Sequence, residues 1–343
     1  GMTQIRLTKK IPPGFSLDVE IHPARGVTAI HGPSGAGKTL LLELTAGLVA
    51  PDAGRILLDD AIVYDAGSRV HIAPGRRGCG YLSQADSLFP HMTVRQNVAF
   101  AAQRFPRLDR VRRVTDIMER CGLAGDSECR PGDLDRAARL RCAIARALVG
   151  EPRLLLADDA GIDEPLLRLI RGIFAGPILL VTGDLDLCCA VAEELMILHA
   201  GRIEQRGVPR TIFEQPGSVE VARILGIPNL FAGTVAALDR GRNLTRLDFK
   251  GFTLSAPYLP GHFKGDRISV AIRPNQLRIH PGTTAPGLNF IRAELLHVSE
   301  RTEQVRLEFA GSIFVDVSRP EFQAQSDNKE WQVEFPPENL RIL

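Results

Sequence analysis

The order of hydrophobic and polar residues divides the chain into two parts, and the first extends from about residue 2 to residue 228. Here short apolar runs alternate with stretches whose apolar residues recur at helical spacing. Residues 27–30, 153–157 and 178–182 have the compact apolar character of buried strands, and residues 40–48 have helical spacing. This alternation predicts an α/β domain, in which helices cover a parallel sheet.

The second part begins at about residue 229, where the pattern changes to short alternating runs. Residues 267–272 are an example, and Gly and Pro separate such runs from one another. This pattern predicts a small all-β domain, either a barrel or a sandwich. Within the first part, residues 103–133 are rich in arginine and helical in spacing, which fits an inserted helical subdomain.

Composition and charge narrow the kinds of protein that this pattern can describe. The chain has 343 residues, of which 44% are hydrophobic, and its net charge is +2. This length favours about two domains, and the balanced charge is typical of a packed protein. No apolar run approaches the ~18 residues that a membrane-spanning helix needs. Gly1 is interpreted as an expression remnant, and no secretory leader follows it, so we expect a soluble protein that is not secreted.

The cysteines and the basic residues carry no metal or nucleic-acid signal. No C-x-x-C pair and no histidine at zinc-ligand spacing is present, so we expect reduced thiols in a cytoplasm. The low net charge disfavours a broad nucleic-acid-binding face, and we interpret Arg76 and Arg77 as part of a solvated loop.

A phosphate-binding loop is the strongest motif in the chain. The pattern G-x-x-x-x-G-K-[ST] lies directly between the predicted strand at residues 27–30 and the predicted helix at residues 40–48. Glycines let consecutive N–H groups point inward, at a helix N-terminus whose dipole favours negative charge. Lys38 is predicted to neutralise the β- and γ-phosphates, and Thr39 to offer its hydroxyl to Mg²⁺. The predicted nucleotide-binding residues are Gly32, Pro33, Ser34, Gly35, Ala36, Gly37, Lys38, Thr39 and Leu40.

Two carboxylates follow the apolar strand near residue 155. Asp158 is the candidate for the Mg²⁺ side of the site, and Asp159 is placed to orient or deprotonate an attacking water. The alternative is a pair of carboxylates that only ends a strand, and the neighbouring phosphate loop disfavours it.

The order of these motifs resembles the ATP-binding subunit of an ABC importer. Between the two phosphate motifs lie Tyr-Leu-Ser-Gln at residues 81–84 and Ala-Ile-Ala-Arg-Ala-Leu at residues 143–148. Residues 72–81 are similar to the oxyanion and metal-import branch, above all to the molybdate importers. Residues 229–235 and 271–274 resemble the C-terminal β domain of that branch. Sulfate, iron and polyamine importers share most of these sequence motifs.

This resemblance implies a fold and a set of partners. The fold would be a P-loop ABC ATPase domain over residues 2–228, with a helical subdomain at about residues 85–150, followed by a TOBE-like, OB-like β domain over residues 229–343. ATP and Mg²⁺ would be the cofactors, and Gln84 would contact the metal and the attacking water. The partners would be permease subunits, a periplasmic or lipid-anchored solute-binding protein and a second copy of the chain, with no nucleic acid. The chain would lie on the cytoplasmic face of the cell membrane, and its C-terminal domain could bind an oxyanion.

The chain departs from the family pattern at the signature segment. The family's Leu-Ser-Gly-Gly-Gln corresponds to residues 134–138, where Asp135 replaces the serine and Arg136 a glycine. Asp135 is a good helix N-cap, but its carboxylate would repel the γ-phosphate of an opposite subunit. Arg136 or Arg139 could instead supply a compensating positive charge.

Further departures concern the switch and the catalytic carboxylate. Gly183 stands where the family has a histidine that contacts the γ-phosphate, Asp159 replaces a glutamate, and Ala160 replaces a proline. Asp163 matches the aspartate of the following loop. Small misplacements of such groups cost about 10²-fold in rate, so we expect weak hydrolysis.

The sequence leaves two alternatives for the residue that would stack on the adenine base. Phe15 is the candidate aromatic for adenine, and a core phenylalanine is the alternative. His91 and His199 are interpreted as structural.

Two classes of function remain for the whole chain. One is a transport ATPase, and the other is a degenerate regulatory subunit that binds ATP and hydrolyses it poorly. A P-loop kinase or a DNA-associated ATPase is disfavoured by the segment around Gln84 and by the β domain.

Overall fold

The computed structural model describes residues 1–83, 88–159, 161–285, 287–328 and 330–343. Contacts along the chain divide it into two compact units, Gly1–Ile212 and Phe213–Leu343. Within the described residues, no helix has the length and apolar character that crossing a membrane requires. Gln84 and Ala160, which the sequence reasoning singled out, lie outside the described residues.

The first unit alternates strands and helices as predicted. Its strands are β1 (Gln4–Ile11), β2 (Phe15–Ile21), β3 (Gly26–His31), β4 (Ala53–Leu58), β5 (Ala61–Asp65), β6 (Val70–His71), β7 (Cys79–Leu82), β8 (Leu154–Asp158), β9 (Pro177–Val181), β10 (Glu194–His199) and β11 (Arg202–Gly207). Its helices are α1 (Lys38–Ala46), α2 (Val94–Ala101), α3 (Arg107–Arg120), α4 (Arg136–Leu148), α5 (Glu164–Ile173) and α6 (Leu185–Val191), and α7 (Pro209–Glu214) spans the boundary between the units.

A mostly parallel sheet forms the centre of this unit, in the order β11-β10-β3-β9-β8-β7. Strands β10, β3, β9, β8 and β7 run parallel, and β11 is antiparallel. Alternate residues of β8 enter two cores, with Leu155 packing among α2, α4 and α5 and Leu156 packing among α1 and the antiparallel sheet β2-β1-β4-β5-β6. Burial on both faces explains why these strands appear in the sequence as continuous apolar runs.

The phosphate-loop helix α1 is held at its C-terminal end by a buried arginine. Arg77 donates to the carbonyl oxygens of Leu44 and Thr45 at 3.0 and 2.9 Å, and it also bonds Ile72. Gly47 ends the helix in the left-handed region, where a Cβ would lie 2.5 Å from the Arg77 guanidinium carbon. The interpretation of Arg77 as part of a solvated loop is therefore wrong, because its side chain is the last-turn cap of α1. Arg76 is exposed.

The second unit consists mainly of antiparallel strands, as predicted. They are β12 (Asn229–Asp239), β13 (Leu244–Phe249), β14 (Phe252–Ala256), β15 (Arg267–Ile272), β16 (Arg278–Pro281), β17 (Phe290–Ala293), β18 (Leu295–Glu300), β19 (Gln304–Phe309), β20 (Ile313–Ser318), β21 (Trp331–Glu334) and β22 (Arg341–Ile342). Two short helices, α8 (Val219–Ile224) and α9 (Arg319–Gln323), accompany them. The sheets have the orders β14-β13-β12-β15-β22, β16-β21-β17 and β18-β19-β20. The predicted architecture, an α/β domain followed by an all-β domain, is confirmed.

A buried asparagine joins two of these sheets. Asn229 in β12 has no exposed surface, and its side-chain amide donates to the carbonyl oxygen of Phe314 at 2.8 Å. The Phe314 N–H donates in return to Asn229 Oδ1 at 2.7 Å. The Asn229 side chain thus pairs with the backbone N–H and carbonyl oxygen of Phe314 in β20, as a neighbouring strand would.

Candidate functional site

The phosphate loop joins β3 to α1 and consists of residues 32–37. A Cβ on Gly32 would overlap the carbonyl oxygen of Leu198 in β10, and a Cβ on Gly37 would lie 2.9 Å from the ring of Phe15. Gly37 also has a φ of 101°, a conformation that side chains disfavour. Only glycine therefore fits at these two positions, which lets the loop run directly against the neighbouring strands.

Phe15 is half-buried and packs against the core beside α1. The edge of its ring approaches Gly37. The two roles considered for Phe15, adenine stacking and core packing, are therefore compatible. A partly exposed aromatic ring next to the phosphate loop can pack on the core and offer a face to a base.

Three helices begin at the carboxyl ends of the parallel strands β3, β9 and β8, and these helices differ in how their N-termini are capped. Helices α5 and α6 follow β8 and β9 and begin with Asp163 and Asp184, each of which accepts a backbone N–H at 2.9 Å. Helix α1 follows β3 and begins with Gly37, which provides no side-chain cap. The first backbone N–H groups of α1 therefore remain to bind an anion, where the helix dipole favours negative charge.

Lys38 is the first residue of α1, and its ammonium group bends back over the loop. Its Nζ donates to the carbonyl oxygens of Gly32 and Pro33 at 2.7 and 2.8 Å. Burial lowers the pKa of Lys38, whereas the charges of Asp158 and Asp159 raise it. An ammonium has three donors, so two carbonyl bonds leave one N–H for a phosphate oxygen.

Thr39 and Asp158 form the oxygen-rich side of the site. The Thr39 hydroxyl donates to Asp158 Oδ1 at 3.2 Å, and Asp158 is 4% exposed. Burial raises the pKa of Asp158 and so does the charge of Asp159, while the Thr39 hydrogen bond and the charge of Lys38 lower it. A hydroxyl and a carboxylate beside a phosphate site are the oxygen ligands that Mg²⁺ prefers.

Among the described residues, no group of three or more His, Cys, Asp or Glu could hold a metal ion. A Mg²⁺ ion that takes its other ligands from phosphates and water needs no such cluster, so the donor set fits this ion.

Asp159 follows β8 in a conformation that side chains rarely adopt, with φ of 40°. Its N–H donates to the carbonyl oxygen of Val181 in β9 at 2.9 Å, and its side chain is exposed. The backbone of the predicted catalytic carboxylate is therefore hydrogen-bonded to the neighbouring strand.

At the signature segment, the predicted N-cap is confirmed. Asp135 Oδ1 accepts the N–H of Ala138 at 2.6 Å and starts α4. Arg136 reaches across to the loop after β8, because a Cβ on Gly161 would lie 2.7 Å from a guanidinium nitrogen of Arg136. The arginine thus contacts the segment just beyond Asp159 in its own chain.

The switch position is open. Among the described residues other than its chain neighbours, no atom lies within 4 Å of the place where a Cβ on Gly183 would stand. The carbonyl oxygen of Thr182, directly before Gly183, lies 3.0 Å from Nδ1 of His31. Sequence reasoning missed His31, although a histidine that directly follows the apolar run at residues 27–30 is a visible signal.

An aromatic groove of about 660 Å³ lies away from the phosphate loop. It is bordered by Tyr81 of β7 and by Phe89 and Phe100, whose rings meet edge-to-face at 4.8 Å. Phe100 is 46% exposed, and the Arg146 guanidinium lies 5.6 Å from the centre of the Phe89 ring. The groove therefore combines exposed apolar surface with positive charge.

Comparison with known proteins gives consistent results. The family model described as "ABC transporter" matches residues 16–161. A molybdenum import ATP-binding protein of Rhodospirillum rubrum is 34% identical over 68% of this chain and 65% of its own length. Another of Rhizobium johnstonii is 30% identical over 92% of both chains. The spermidine/putrescine import ATP-binding protein of Vibrio cholerae is 33% identical over 77% of this chain and 71% of its own length.

A solved structure shares the fold. It is that of cbiO1 from Clostridium perfringens, described as part of the ABC transporter complex cbiONQ. It is 25% identical, has a TM-score of 0.53, and covers 66% of this chain and 95% of its own.

Proposed function

The chain belongs to the ABC transporter family of ATP-binding proteins, and from this premise we propose that it is the subunit that powers import of molybdate or a related oxyanion. The observation that carries the proposal is the uncapped start of α1 together with Lys38 and the Thr39–Asp158 pair. These groups supply, at one edge of the sheet, the donors for a triphosphate and the oxygen ligands for its metal ion.

ATP binding is assigned to the loop and the first turn of α1. The backbone N–H groups at the start of α1, from Lys38 to Leu40, would face the phosphates, and Lys38 would place its third ammonium donor on the β- and γ-phosphates. Phe15 offers its ring to the adenine. Thr39 and Asp158 would hold Mg²⁺, which neutralises charge on the phosphates when it is bound.

Hydrolysis is assigned to the end of β8. Asp159 accepts the proton of a water whose oxygen forms a bond to the γ-phosphorus, while the bond from that phosphorus to ADP breaks. Gln84 orients the water and contacts the metal, as the family resemblance implies. The shorter Asp159 side chain and the missing side chain at Gly183 make this step slow.

A poorly hydrolysing regulatory subunit is the second candidate function. Two observations favour it: the open space at Gly183 and the placement of Arg136 against Gly161 in its own chain. An arginine at this position also denies an opposite phosphate the close backbone approach that glycine permits. In a homodimer both composite sites would carry these changes.

The aromatic groove is the proposed contact for a permease subunit. An amphipathic helix of that subunit would pack an apolar side chain against the exposed Phe100 ring and place an acidic one beside Arg146. The relatives' names, all of them import ATP-binding proteins, and the assembly of cbiO1 in a transporter complex support such a partner. The chain would act on the cytoplasmic face of the membrane, with a solute-binding protein on the other side.

The choice of an oxyanion rests on the extent of similarity. The Rhizobium johnstonii molybdenum protein aligns over 92% of this chain, which includes most of the second unit. The second unit is the proposed place for regulatory oxyanion binding. Thermal stabilisation by molybdate and tungstate but not by sulfate or spermidine supports this assignment, and stabilisation by spermidine alone contradicts it.

A binding assay tests the nucleotide site. Fluorescent ATP with Mg²⁺ is titrated into the wild-type chain and into Lys38→Ala, with the exposed Lys264→Ala as the control. Loss of a charge-assisted contact should weaken binding by at least about 30-fold in Lys38→Ala and leave Lys264→Ala unchanged. Equal affinity of Lys38→Ala and the wild type would refute the assigned loop.

A further inference from the structure

The end of β9 is held between the two strands beside it. On one side, Asp159 at the end of β8 donates its N–H to the carbonyl oxygen of Val181 at 2.9 Å. On the other side, the N–H of Thr182 donates to the carbonyl oxygen of Ile30 in β3 at 3.3 Å. A shift of the β9 end therefore moves the backbone of Asp159.

His31 adds a side-chain bond to this junction. Its ring is 9% exposed, and Nδ1 lies 3.0 Å from the carbonyl oxygen of Thr182. A carbonyl oxygen can only accept, so Nδ1 carries the proton in this arrangement. The bond joins the last residue of β3, directly before the phosphate loop, to the residue directly before Gly183.

The turn after β9 contains Gly183. Gly183 has no side chain and gives the backbone after β9 more freedom than any other residue would. The described contact beyond it is local, since the N–H of Asp184 donates to Thr182 Oγ1 at 3.1 Å. Asp159 keeps its left-handed φ of 40° only where surrounding contacts hold it.

We propose that His31 is a positioning residue for ATP hydrolysis: its Nδ1–H fixes the end of β9 and, through the Asp159–Val181 bond, the place of the Asp159 carboxylate relative to the phosphate loop. This inference rests on the proposed ATPase function. Gly183 has no side chain that could restrain the turn after β9. The His31 imidazole, at the end of β3, restrains the same turn instead. His31 itself transfers no proton to or from the substrate.

Steady-state hydrolysis of radiolabelled ATP by the full chain tests the proposal with three variants. His31→Phe keeps a ring and removes the donor, and His31→Asn places an amide N–H near the position of Nδ1. The control is His22→Phe, because His22 is exposed and directly follows β2, which lies outside the sheet that contains β3. We expect kcat to fall by about 3- to 10-fold in His31→Phe, the effect of one net hydrogen bond, with KM changed less than about 2-fold. His31→Asn should recover most of kcat, and His22→Phe should equal the wild type.

A general loss of structure would lower the affinity as well as kcat and would not be rescued by His31→Asn. Equal kcat in His31→Phe and the wild type, or equal losses in the Phe and Asn variants, overturns the positioning role. A wild-type chain that fails to bind Mg-ATP contradicts the proposed function itself, so the two failures are distinguishable.

A spectroscopic measurement examines the bond without turnover. The NMR shifts of the imidazole nitrogens, assigned by comparison with His31→Phe, report which nitrogen is protonated. We expect the proton on Nδ1 of His31. A proton on Nε2 alone would remove the donor to Thr182 and overturn the proposal, whatever the hydrolysis rate.

Discussion

Placing a histidine at residue 183 is the most direct test of the slow-hydrolysis argument. The substitution Gly183→His introduces a side chain where, in the described part of the chain and apart from the two neighbouring residues, no atom lies within 4 Å of the new Cβ, and where φ is outside the left-handed region. The backbone of the folded state can therefore accept a Cβ at this position. Replacement of a glycine at such a compatible site stabilises a protein by about 0.4–1 kcal/mol, because the unfolded chain loses freedom.

The expected change in rate is larger than the change in stability. A missing preorganised donor costs about 10²–10³-fold, but the new imidazole can contribute fully only when the carboxylate is in reach. We expect kcat to rise about 10-fold in Gly183→His and about 10²-fold or more when Asp159→Glu restores the missing methylene. The affinity for Mg-ATP should change little, because Lys38, Thr39 and Asp158 are untouched.

Phosphate release at saturating ATP measures kcat, and urea unfolding measures stability. Gly172→His is the matched control, since Gly172 is an exposed glycine of α5, and no described atom outside its own helical backbone and chain neighbours lies within 4 Å of an added Cβ. Robust turnover by the unmodified chain, near the ~10 s⁻¹ that is typical of enzymes, would refute the reasoning. So would a double variant that binds Mg-ATP normally and hydrolyses it no faster than the wild type.

Two further predictions concern thiol chemistry and the second unit. Burial raises the pKa of Cys188 to about 12 and of Cys142 to about 11, so at about pH 8 only ~10⁻⁴ and ~10⁻³ of these thiols are ionised. Mass spectrometry after alkylation of the native chain should find the exposed Cys189 labelled first, and early labelling of Cys188 would contradict the burial argument. Asn229→Ala should lower the unfolding free energy of the second unit by about 2–4 kcal/mol, because Phe314 loses both backbone partners inside the protein. A urea-unfolding change below about 0.5 kcal/mol would show that Phe314 finds other partners.

The parts of the site that are local in sequence could be predicted. The phosphate loop, the start of α1 and the Asp135 cap are each set by residues that lie within a few positions of one another. The strand at Leu154–Asp158 is apolar as far as Ala157 because both of its faces are buried, and Asp158, its last residue, and Asp159 supply the carboxylates. Such features depend on short-range geometry, so the sequence alone specifies them.

The contacts that could not be predicted join residues far apart in the chain. His31 and Thr182 are 151 positions apart, and Arg77 lies more than 30 positions from the α1 carbonyls that it caps. Arg77 was expected in solvent because arginine pairs usually lie there. Only the packing of α1 beside the 72–77 segment shows that this side chain caps a helix. Gly183 was recognised as a missing side chain, whereas the space around it required the structure.

The unequal caps of the helices at the phosphate edge have a consequence for how this surface selects a ligand. Three helix starts follow adjacent parallel strands there, and two of them carry their own aspartate. Those internal carboxylates already act as the anions that a helix start attracts, and they repel any other. With the proposed triphosphate site at α1, exclusion at the neighbouring termini would select the docking point as much as attraction at α1 would. Replacement of one capping aspartate by glycine would make the electrostatic potential at that helix start more positive, while the strands stay in place.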